Sequence, residues 1–466
     1  MAHDLGLSRL DPVSAADFLL NGTVCFPYTL IEGIRVAPPG SITRVTPDGT
    51  TSDRYFTPIE EDPVGSAADW GVALWEKLRE ALHFGLDGCQ DIRVLFSGGE
   101  DARAVAGFLP KDREVTLYTV SDAENREVRL ARHAAHKLGL PFVFQPRPAS
   151  FYRQAIVERI AETGGQFDIR HTHIRGVLAD PLRDADAIVG GYAADTLFKS
   201  AWMGNVQTAR ADPFRVERLG GDYPSEPVGV RLSDPEGSLL NCSLVQAVRE
   251  RRLAHHAELE HIRPRSAGNW HTLWPLGAHR VTYAHLLATR AIGPRVVEPF
   301  LDGQVFRLAA QMPDAFRVDR KAFRYLHDRP GDTAALSLSS SGRIPYFNGR
   351  IGNGIMGLTK LAWKSGDRLS RYWARLNGKV WIPPGPWGAE QSSFEFDAGD
   401  YVSPQEFEDL MASLGGTTGS APAGSGLSKR LRQLKFRGLQ LAVFHRSLAS
   451  DCGGGSAFRD QAAHVD

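Results

Sequence analysis

The sequence lacks several features that mark particular classes of protein. Its 466 residues include only four cysteines, Cys25, Cys89, Cys242 and Cys452, and no two of them have CxxC spacing. This usage excludes a disulfide scaffold and predicts reduced thiols in a cytoplasmic protein. The sequence has no apolar run long enough for a membrane span and no signal peptide at its start. We therefore expect no membrane partner.

An excess of charge of one sign is also absent. Lys and Arg together number 54, and Asp and Glu together also number 54. Proteins that bind nucleic acids rely on a basic surface, so we expect no nucleic-acid partner. The hydrophobic fraction of 42% is typical of a globular protein, and the length allows two or three domains with a large core.

The middle of the chain alternates apolar segments with helical patterns. DIRVLF, EVTLYTV, FVFQPR and DAIVGG are predicted strands between residues 91 and 191. Strands that alternate with helices predict an α/β fold with a doubly wound, mainly parallel sheet. Residues 1–65 combine a capped helix with a hairpin pattern, and the chain after residue 245 is mainly helical with a less regular end.

The segment LFSGGEDARAVAGFL, residues 95–109, places two glycines between a predicted strand and a predicted helix. In open parallel sheets, ligands bind beyond the carboxyl ends of the strands. The amides of Gly98 and Gly99, the Ser97 hydroxyl and the start of the helix then form an anion site. The spacing is neither GxxxxGK[ST] nor GxGxxG, so neither a Walker site nor a dinucleotide site is expected. Asp101 either stabilises the first turn of the helix or holds a cation.

S-G-G-x-D is the signature of the N-type ATP pyrophosphatases, or PP-loop enzymes. Three further segments follow in the order found in one such family: LYTVSDAENREVRLARHAAHKLGLPF, IVGGYAADTLFKS and VVEPFLDGQVFRLAAQMP. Together they resemble the synthetase domain of the asparagine synthetase family over about 250 residues. The resemblance implies a PP-loop α/β domain over residues 66–466, with a flexible loop at 415–426 and a loose tail at 453–466.

The resemblance also implies ATP and Mg²⁺ as cofactors. Asp101 and Asp195 match the positions that hold Mg²⁺ against the phosphates, although Asp195 also fits a helix N-cap. Glu127 matches an acid that recurs in the family. The residues implied in ATP binding are Leu95, Phe96, Ser97, Gly98, Gly99, Asp101, Ala102, Thr119, Val120, Ser121 and Gly191.

The tyrosine at position 192 resembles that of the β-lactam synthetase and carbapenam synthetase branch, which has a tyrosine at the matching position. In that branch the tyrosine helps to deprotonate the attacking amine. A tyrosine has a pKa of about 10 and needs a partner for this role, for which Glu226 and Glu298 are candidates. Alternatively, Tyr192 only lines the pocket. A lysine of the family stabilises charge during acyl transfer, and Arg343 and Lys199 are candidates here. Arg343 fits a surface salt bridge equally well.

Two residues of the loop depart from the family pattern. Ala102 replaces a serine, and Glu100 replaces an apolar or aromatic residue. An additional acid near pyrophosphate is unfavourable unless it points outward or pairs with Arg103. A site that binds ATP weakly, or no longer binds it, is therefore an alternative that these two residues allow.

Residues 1–65 are similar to the closing part of the family's glutaminase domain, and we interpret them as a β-rich remnant. That domain uses a cysteine at its processed N-terminus, whereas this chain has Ala2 there and Cys25 inside the chain. The resemblance therefore implies no glutamine hydrolysis. Cys25 fits a small buried residue better than a nucleophile.

The sequence thus predicts an ATP-dependent amide-bond-forming ligase of specialised metabolism, such as antibiotic biosynthesis. A small-molecule or peptide carboxylate is activated as an acyl-adenylate, and an amine then displaces AMP. Intramolecular attack would give a lactam or macrolactam, and a homodimer is compatible with the sequence. The alternative is a catalytically inactive, asparagine-synthetase-like binding or scaffold protein.

Overall fold

The structure is a computed structural model of the chain. It describes residues 9–59, 64–148, 151–165, 167, 169–199, 240–264, 270, 280–328, 332–347, 349–379, 403–414 and 437–448. The predicted loop at 415–426 and the predicted tail at 453–466 lie outside these residues.

The N-terminal region contains the predicted helix and hairpin. Helix α1 spans Pro12–Asn21, and the Asp11 carboxylate accepts two amide hydrogen bonds at its start. Gly22 ends the helix in the left-handed conformation, with φ of 70°. Strands β1 (Ser41–Thr46) and β2 (Gly49–Arg54) pair in antiparallel register. Both sequence predictions are confirmed.

A five-stranded parallel sheet organises the central part of the chain. Its strands are β3 (Asp91–Leu95), β4 (Glu114–Ser121), β5 (Phe142–Pro146), β6 (Ala187–Val189) and β7 (Arg295–Val297), in the order β5-β4-β3-β6-β7. The four predicted strands are confirmed. Strand β7 was not predicted, because three residues are too short to show a strand pattern.

Helices connect and cover these strands, and the predicted α/β class is confirmed. Of the described helices, none is both long and apolar enough to cross a membrane. A further described helix covers residues 437–448. The other helices are α2 (Ala67–Gly85), α3 (Glu100–Phe108), α4 (Arg126–Leu138), α5 (Phe151–Thr163), α6 (His173–Arg183), α7 (Ala194–Phe198), α8 (Cys242–Ile262), α9 (Arg280–Arg290), α10 (Gly303–Gln311), α11 (Asp314–Arg317), α12 (Gly349–Leu376) and α13 (Pro404–Ser413).

Both faces of the sheet are packed against helices. Ile92 and Val94 of β3 lie in one hydrophobic core with residues of α2, α3 and α4. Ile188 of β6 lies in a second core on the opposite face, together with Leu178 and Leu182 of α6. Because side chains alternate along a strand, each buried strand contributes to both cores.

The strand order places two loops at one point of the sheet. The order reverses between β3 and β6, which are neighbours with helical connections running to opposite sides. The loops that follow these strands, residues 96–99 and 190–193, therefore meet at the carboxyl end of the sheet. Ligands of open α/β sheets characteristically bind at this switch point.

A separate hydrophobic core links the N-terminal region to later helices. Residues of α1, α5, α8 and the helix at 437–448 share this core. A buried ion pair joins Asp17 of α1 to Arg252 of α8, with 2.7 Å between Oδ1 and Nη2. Cys25 is buried close to the same helix, as expected for a small core residue. The domain boundary at residue 65 stays a prediction.

The position of the loop after β3 depends on Gly98, which leads to a prediction about stability. Gly98 has φ of +68°, and a Cβ there would lie 2.6 Å from the Ala131 Cα. We expect Gly98→Ala to cost about 1–2 kcal/mol in backbone strain and about 1–3 kcal/mol in overpacking. Gly139 is a matched control, since it has φ of +70° but open space around it. Gly139→Ala should therefore lose only about 1–2 kcal/mol through backbone strain and should incur none of the overpacking cost.

Denaturant unfolding of the two variants measures the difference. Equal losses of unfolding free energy in both variants would show that packing against Ala131 does not hold the loop.

Candidate functional site

The loop after β3 is built around its two glycines. Gly98 is buried and packs closely against α4, whereas Gly99 has an ordinary φ of −73°. The Gly99 amide donates to the Ser97 Oγ at 3.3 Å. Gly99 is also the N-cap of α3, and no described side chain caps that helix. The first amides of α3 are thus left without intrahelical partners, which is the arrangement of an anion site.

Arg103 holds this loop against a later segment of the chain. Its side chain is only 1% exposed. Its Nε donates to the Gly98 carbonyl at 2.9 Å. Its Nη atoms donate to the carbonyls of Ala334 and Ser337 at 2.8 Å and of Leu338 at 2.5 Å. Arg103 is therefore a structural clamp on the backbone of the loop.

Glu100 neither points outward nor pairs with Arg103, and its charge is compensated by a different arginine. It forms a buried ion pair with Arg320, which also donates to the Phe347 carbonyl at 3.1 Å. Burial alone would raise the pKa of Glu100, but the attraction of Arg320 and then of Lys199 outweighs it and lowers the pKa. The carboxylate is thus kept ionised inside the fold.

Asp101 and Asp195 share one cation, the side chain of Lys199. The Lys199 Nζ lies 2.6 Å from the Asp101 Oδ1 and also forms an ion pair with the Asp195 Oδ1. Burial raises the pKa of Asp101 to about 7, while Lys199 acts to lower it and Asp195 to raise it. The N-cap of α7 is Ala193, so the alternative role of Asp195 as the cap was wrong.

The donor set fits a divalent cation that also binds phosphate. Among the described residues, no group of three or more His, Cys, Asp and Glu side chains could hold a metal. Two carboxylates converge on one position, however, and Mg²⁺ characteristically takes one or two carboxylates together with phosphate oxygens. In the structure the Lys199 ammonium is the cation that lies between Asp101 and Asp195.

Backbone strain is concentrated around these charges. Ala193, Asp319 and Arg320 are the described non-glycine residues with positive φ, at 71°, 55° and 59°. Such conformations cost energy and characteristically persist at functional sites. The Arg343 Nη1 lies 3.5 Å from the Asp319 Oδ1, and both side chains are largely buried. Arg343 therefore belongs to this cluster and does not form a surface salt bridge.

Seven charged side chains, four acids and three bases, lie in one region next to the switch point. We call them the charged cluster. Its members are Glu100, Asp101, Asp195, Lys199, Asp319, Arg320 and Arg343.

Tyr192 lies beside the same switch point, and Glu298 contacts its backbone. The Glu298 Oε2 accepts a hydrogen bond from the Tyr192 amide at 2.9 Å. A Cβ on Gly190 would lie 2.2 Å from the Glu298 Oε1, so the glycine is needed for this approach. The Tyr192 ring stacks on His285 at 6.1 Å between centroids. The other candidate partner, Glu226, lies outside the described residues.

Thr119, Val120 and Ser121, which the resemblance implies in ATP binding, are largely occupied by internal contacts. The Thr119 hydroxyl donates to the Phe96 carbonyl. The Ser121 Oγ accepts from the Asn125 Nδ2 at 2.9 Å. Val120 packs partly buried against the core formed with α6. The structure therefore places these strand-end residues near the loop, with two of their hydroxyl groups already bonded.

Other predicted residues have packing roles or neighbour the loop. Leu95 packs against the core next to α6, and Ala102 is 5% exposed in the core next to α2. A small apolar side chain at position 102 thus suits its surroundings. A Cβ on Gly191 would lie 3.2 Å from the Asp101 Cβ, a tight contact at the point where the two loops meet. Burial raises the pKa of Glu127 to about 7.

Sequence reasoning missed Asp319 and Arg320 as members of the cluster. The segment RVDRKAF that contains them carries no recognised motif. The one available signal was the charge of Glu100, since a buried acid requires a cationic partner.

No protein-family model matches the chain, and no curated protein matches its sequence.

The burial of Glu298 predicts a change in pH dependence. Burial raises its pKa from 4.5 to about 7, so the folded protein binds this proton more tightly than the unfolded chain. Ionisation of Glu298 therefore lowers the free energy of unfolding by about 3 kcal/mol as the pH rises from 4.5 to 7. Glu298→Gln mimics the protonated form at every pH. As the pH rises from 4.5 to 7, we therefore expect the unfolding free energy of the variant to increase relative to that of the wild type.

Unfolding free energies at pH 5 and pH 8 provide the measurement. Glu76→Gln on the exposed side of α2 is the matched control and should leave the pH dependence unchanged. If the unfolding free energy of Glu298→Gln changed with pH by the same amount as that of the wild type, the raised pKa of Glu298 would be contradicted.

The position of Lys199 predicts competition with a metal ion. We expect Lys199→Met to bind Mn²⁺ at least about tenfold more tightly than the wild type, because Asp101 and Asp195 lose their ammonium partner. Calorimetry or electron paramagnetic resonance without nucleotide measures this affinity. Lys199→Met combined with Asp101→Asn should lose the gain. Equal Mn²⁺ affinity in all three proteins would show that the two acids do not form one cation site.

Proposed function

We propose that the chain is an ATP-dependent ligase that forms amide bonds and releases AMP and pyrophosphate. It acts without glutamine hydrolysis and takes a small-molecule or peptide carboxylate together with an amine. The observation that carries the proposal is the convergence of three features at the switch point. These are the uncapped start of α3, the two acids Asp101 and Asp195 around one cation, and the bases of the charged cluster.

The loop after β3 would hold the phosphates of ATP. Its glycine backbone and the first amides of α3 offer donors that suit phosphate oxygens. Asp101 and Asp195 would hold Mg²⁺, which would supply positive charge to offset that of the leaving group. The motif order supports this role, since it resembles the asparagine synthetase family throughout this region.

The first step is attack by a carboxylate oxygen of the substrate on the α-phosphorus of ATP. The bond from the α-phosphorus to the bridging oxygen breaks, and pyrophosphate leaves with the bond electrons. Fixed positive charge near the departing oxygens lowers this barrier. Lys199, Arg320 and Arg343 supply such charge in the structure, where acids compensate it before the nucleotide binds.

The second step is attack by an amine nitrogen on the carbonyl carbon of the acyl-adenylate. The carbon–oxygen bond to AMP breaks, and the amine loses a proton to a base. Tyr192 is the candidate base, with its loop held in place by Glu298. Binding both reactants in one pocket supplies much of the acceleration, particularly when acid and amine belong to one molecule. Products of such cyclisation would be lactams or macrolactams.

A specific observation favours a second candidate, a non-catalytic binding protein with the same fold. Lys199 already pairs with both acids, and the hydroxyls of Thr119 and Ser121 are engaged internally. Such a protein would keep the cluster for stability and would bind no nucleotide.

Calorimetric titration with ATP and Mg²⁺ separates the two candidates. A ligase should bind ATP, and Asp101→Asn should weaken binding at least about tenfold because phosphate-bound Mg²⁺ loses a ligand. Asp112→Asn is the control, since Asp112 is 81% exposed in the connection between α3 and β4. Exchange of labelled pyrophosphate into ATP over a panel of carboxylic acids then tests the first step alone.

Absence of ATP binding by the folded wild type would overturn the ligase and leave the binding protein. Tight binding that Asp101→Asn and Asp112→Asn affect equally would place the nucleotide elsewhere.

A further inference from the structure

Helix α12 presents a long apolar face to the surroundings. It has 28 residues and therefore a length of about 42 Å. Only Gly352 and Ala374 are buried along it. Its exposed apolar side chains are each more than 60% accessible, and they are Ile351, Leu358, Leu361, Leu369, Tyr372, Trp373 and Leu376.

One narrow edge of α12 attaches it to the rest of the protein. A Cβ on Gly352 would lie 2.6 Å from the Phe347 carbonyl oxygen, so the first turn packs closely on the preceding loop. The Arg126 guanidinium of α4 lies 4.1 Å from the Trp363 ring centroid, and its Nη1 lies 3.0 Å from the Asp367 Oδ1. Arg126 thus fixes the middle of the helix, and within the described part of the chain the opposite side is exposed.

A second side of α12 is basic. At about 100° per residue, its six basic residues fall within an arc of about 80°. All six are exposed, and they are Arg350, Lys360, Lys364, Arg368, Arg371 and Arg375. The single acid of the helix, Asp367, lies on the attached edge and pairs with Arg126. The basic side therefore carries no compensating acid of its own helix.

The apolar and basic sides are neighbours, and together they fit an anionic lipid surface. We propose that α12 binds the protein peripherally to membranes that contain anionic lipids. The apolar side would enter the boundary of the acyl chains, and the adjoining lysines and arginines would reach the phosphate groups. Tyr372 and Trp373 near the end of the helix suit this boundary, where amphipathic aromatic rings concentrate.

Charge argues for lipid over a second copy of the chain on this face. A second copy would bring two basic helices together, and their like charges oppose pairing. A fluid anionic surface accepts the exposed apolar side chains and attracts the adjoining basic ones. The sequence predicted no membrane partner because it lacks a spanning segment, and a helix lying in the interface does not span.

The proposal does not depend on the ligase activity, and vesicle sedimentation of the full chain tests it. We expect binding to vesicles of phosphatidylcholine with about 30% phosphatidylglycerol, at least about tenfold tighter than to phosphatidylcholine alone. Leu369→Glu with Trp373→Glu should weaken binding at least about tenfold. Phe84→Glu is the matched control, because Phe84 is 74% exposed on α2, and it should bind as the wild type does.

The basic side is tested separately. Replacing Lys364, Arg368 and Arg375 by glutamine should weaken binding to anionic vesicles and reduce its dependence on salt. Circular dichroism checks that each variant is folded. No sedimentation with any vesicle, or equal binding to neutral and anionic vesicles, would overturn the proposal. A dimer of the wild type that Leu369→Glu dissociates, without vesicle binding, would make a second copy the occupant.

Discussion

The buried ion pair between Glu100 and Arg320 is the interaction on which the candidate site depends. Both side chains are 5% exposed, so neither charge is tolerable inside the fold without the other. The pair fixes the first turn of α3 to the segment that carries Asp319, which in turn pairs with Arg343. Because α3 starts at the glycine loop, the same contact sets where the loop lies relative to the other charges.

The topology explains why charges from distant parts of the sequence meet here. Strands β3 and β6 lie side by side at the reversal of strand order, so their following loops share one edge of the sheet. Glycines at positions 98 and 190 allow close approaches that a Cβ would block. Positive φ at Ala193 shows that the fold also tolerates strain at this edge. With a divalent cation on Asp101 and Asp195, this preorganised region would suit a ligand with several negative charges.

Local patterns predicted much of the fold and part of the site. Alternation of apolar strands and helices gave the α/β class and four of five strands, and the loop motifs indicated Asp101, Asp195 and Lys199, which the structure brings together. The partner of Glu100 could not be predicted, because Arg320 is 220 positions away and the contact depends on tertiary packing. The internal bonds of Thr119 likewise arise from strand pairing, which a linear motif does not encode.

The central claim is that the charged cluster and the loop after β3 receive the phosphates of ATP. A crystal structure with a non-hydrolysable ATP analogue and Mg²⁺ tests it most directly. The account predicts phosphate oxygens within hydrogen-bonding distance of the backbone amides at 98–101, with Mg²⁺ between a phosphate and Asp101 and with Lys199 moved from between the two acids. A nucleotide bound elsewhere, with the contacts of Lys199 to Asp101 and Asp195 intact, would contradict the account.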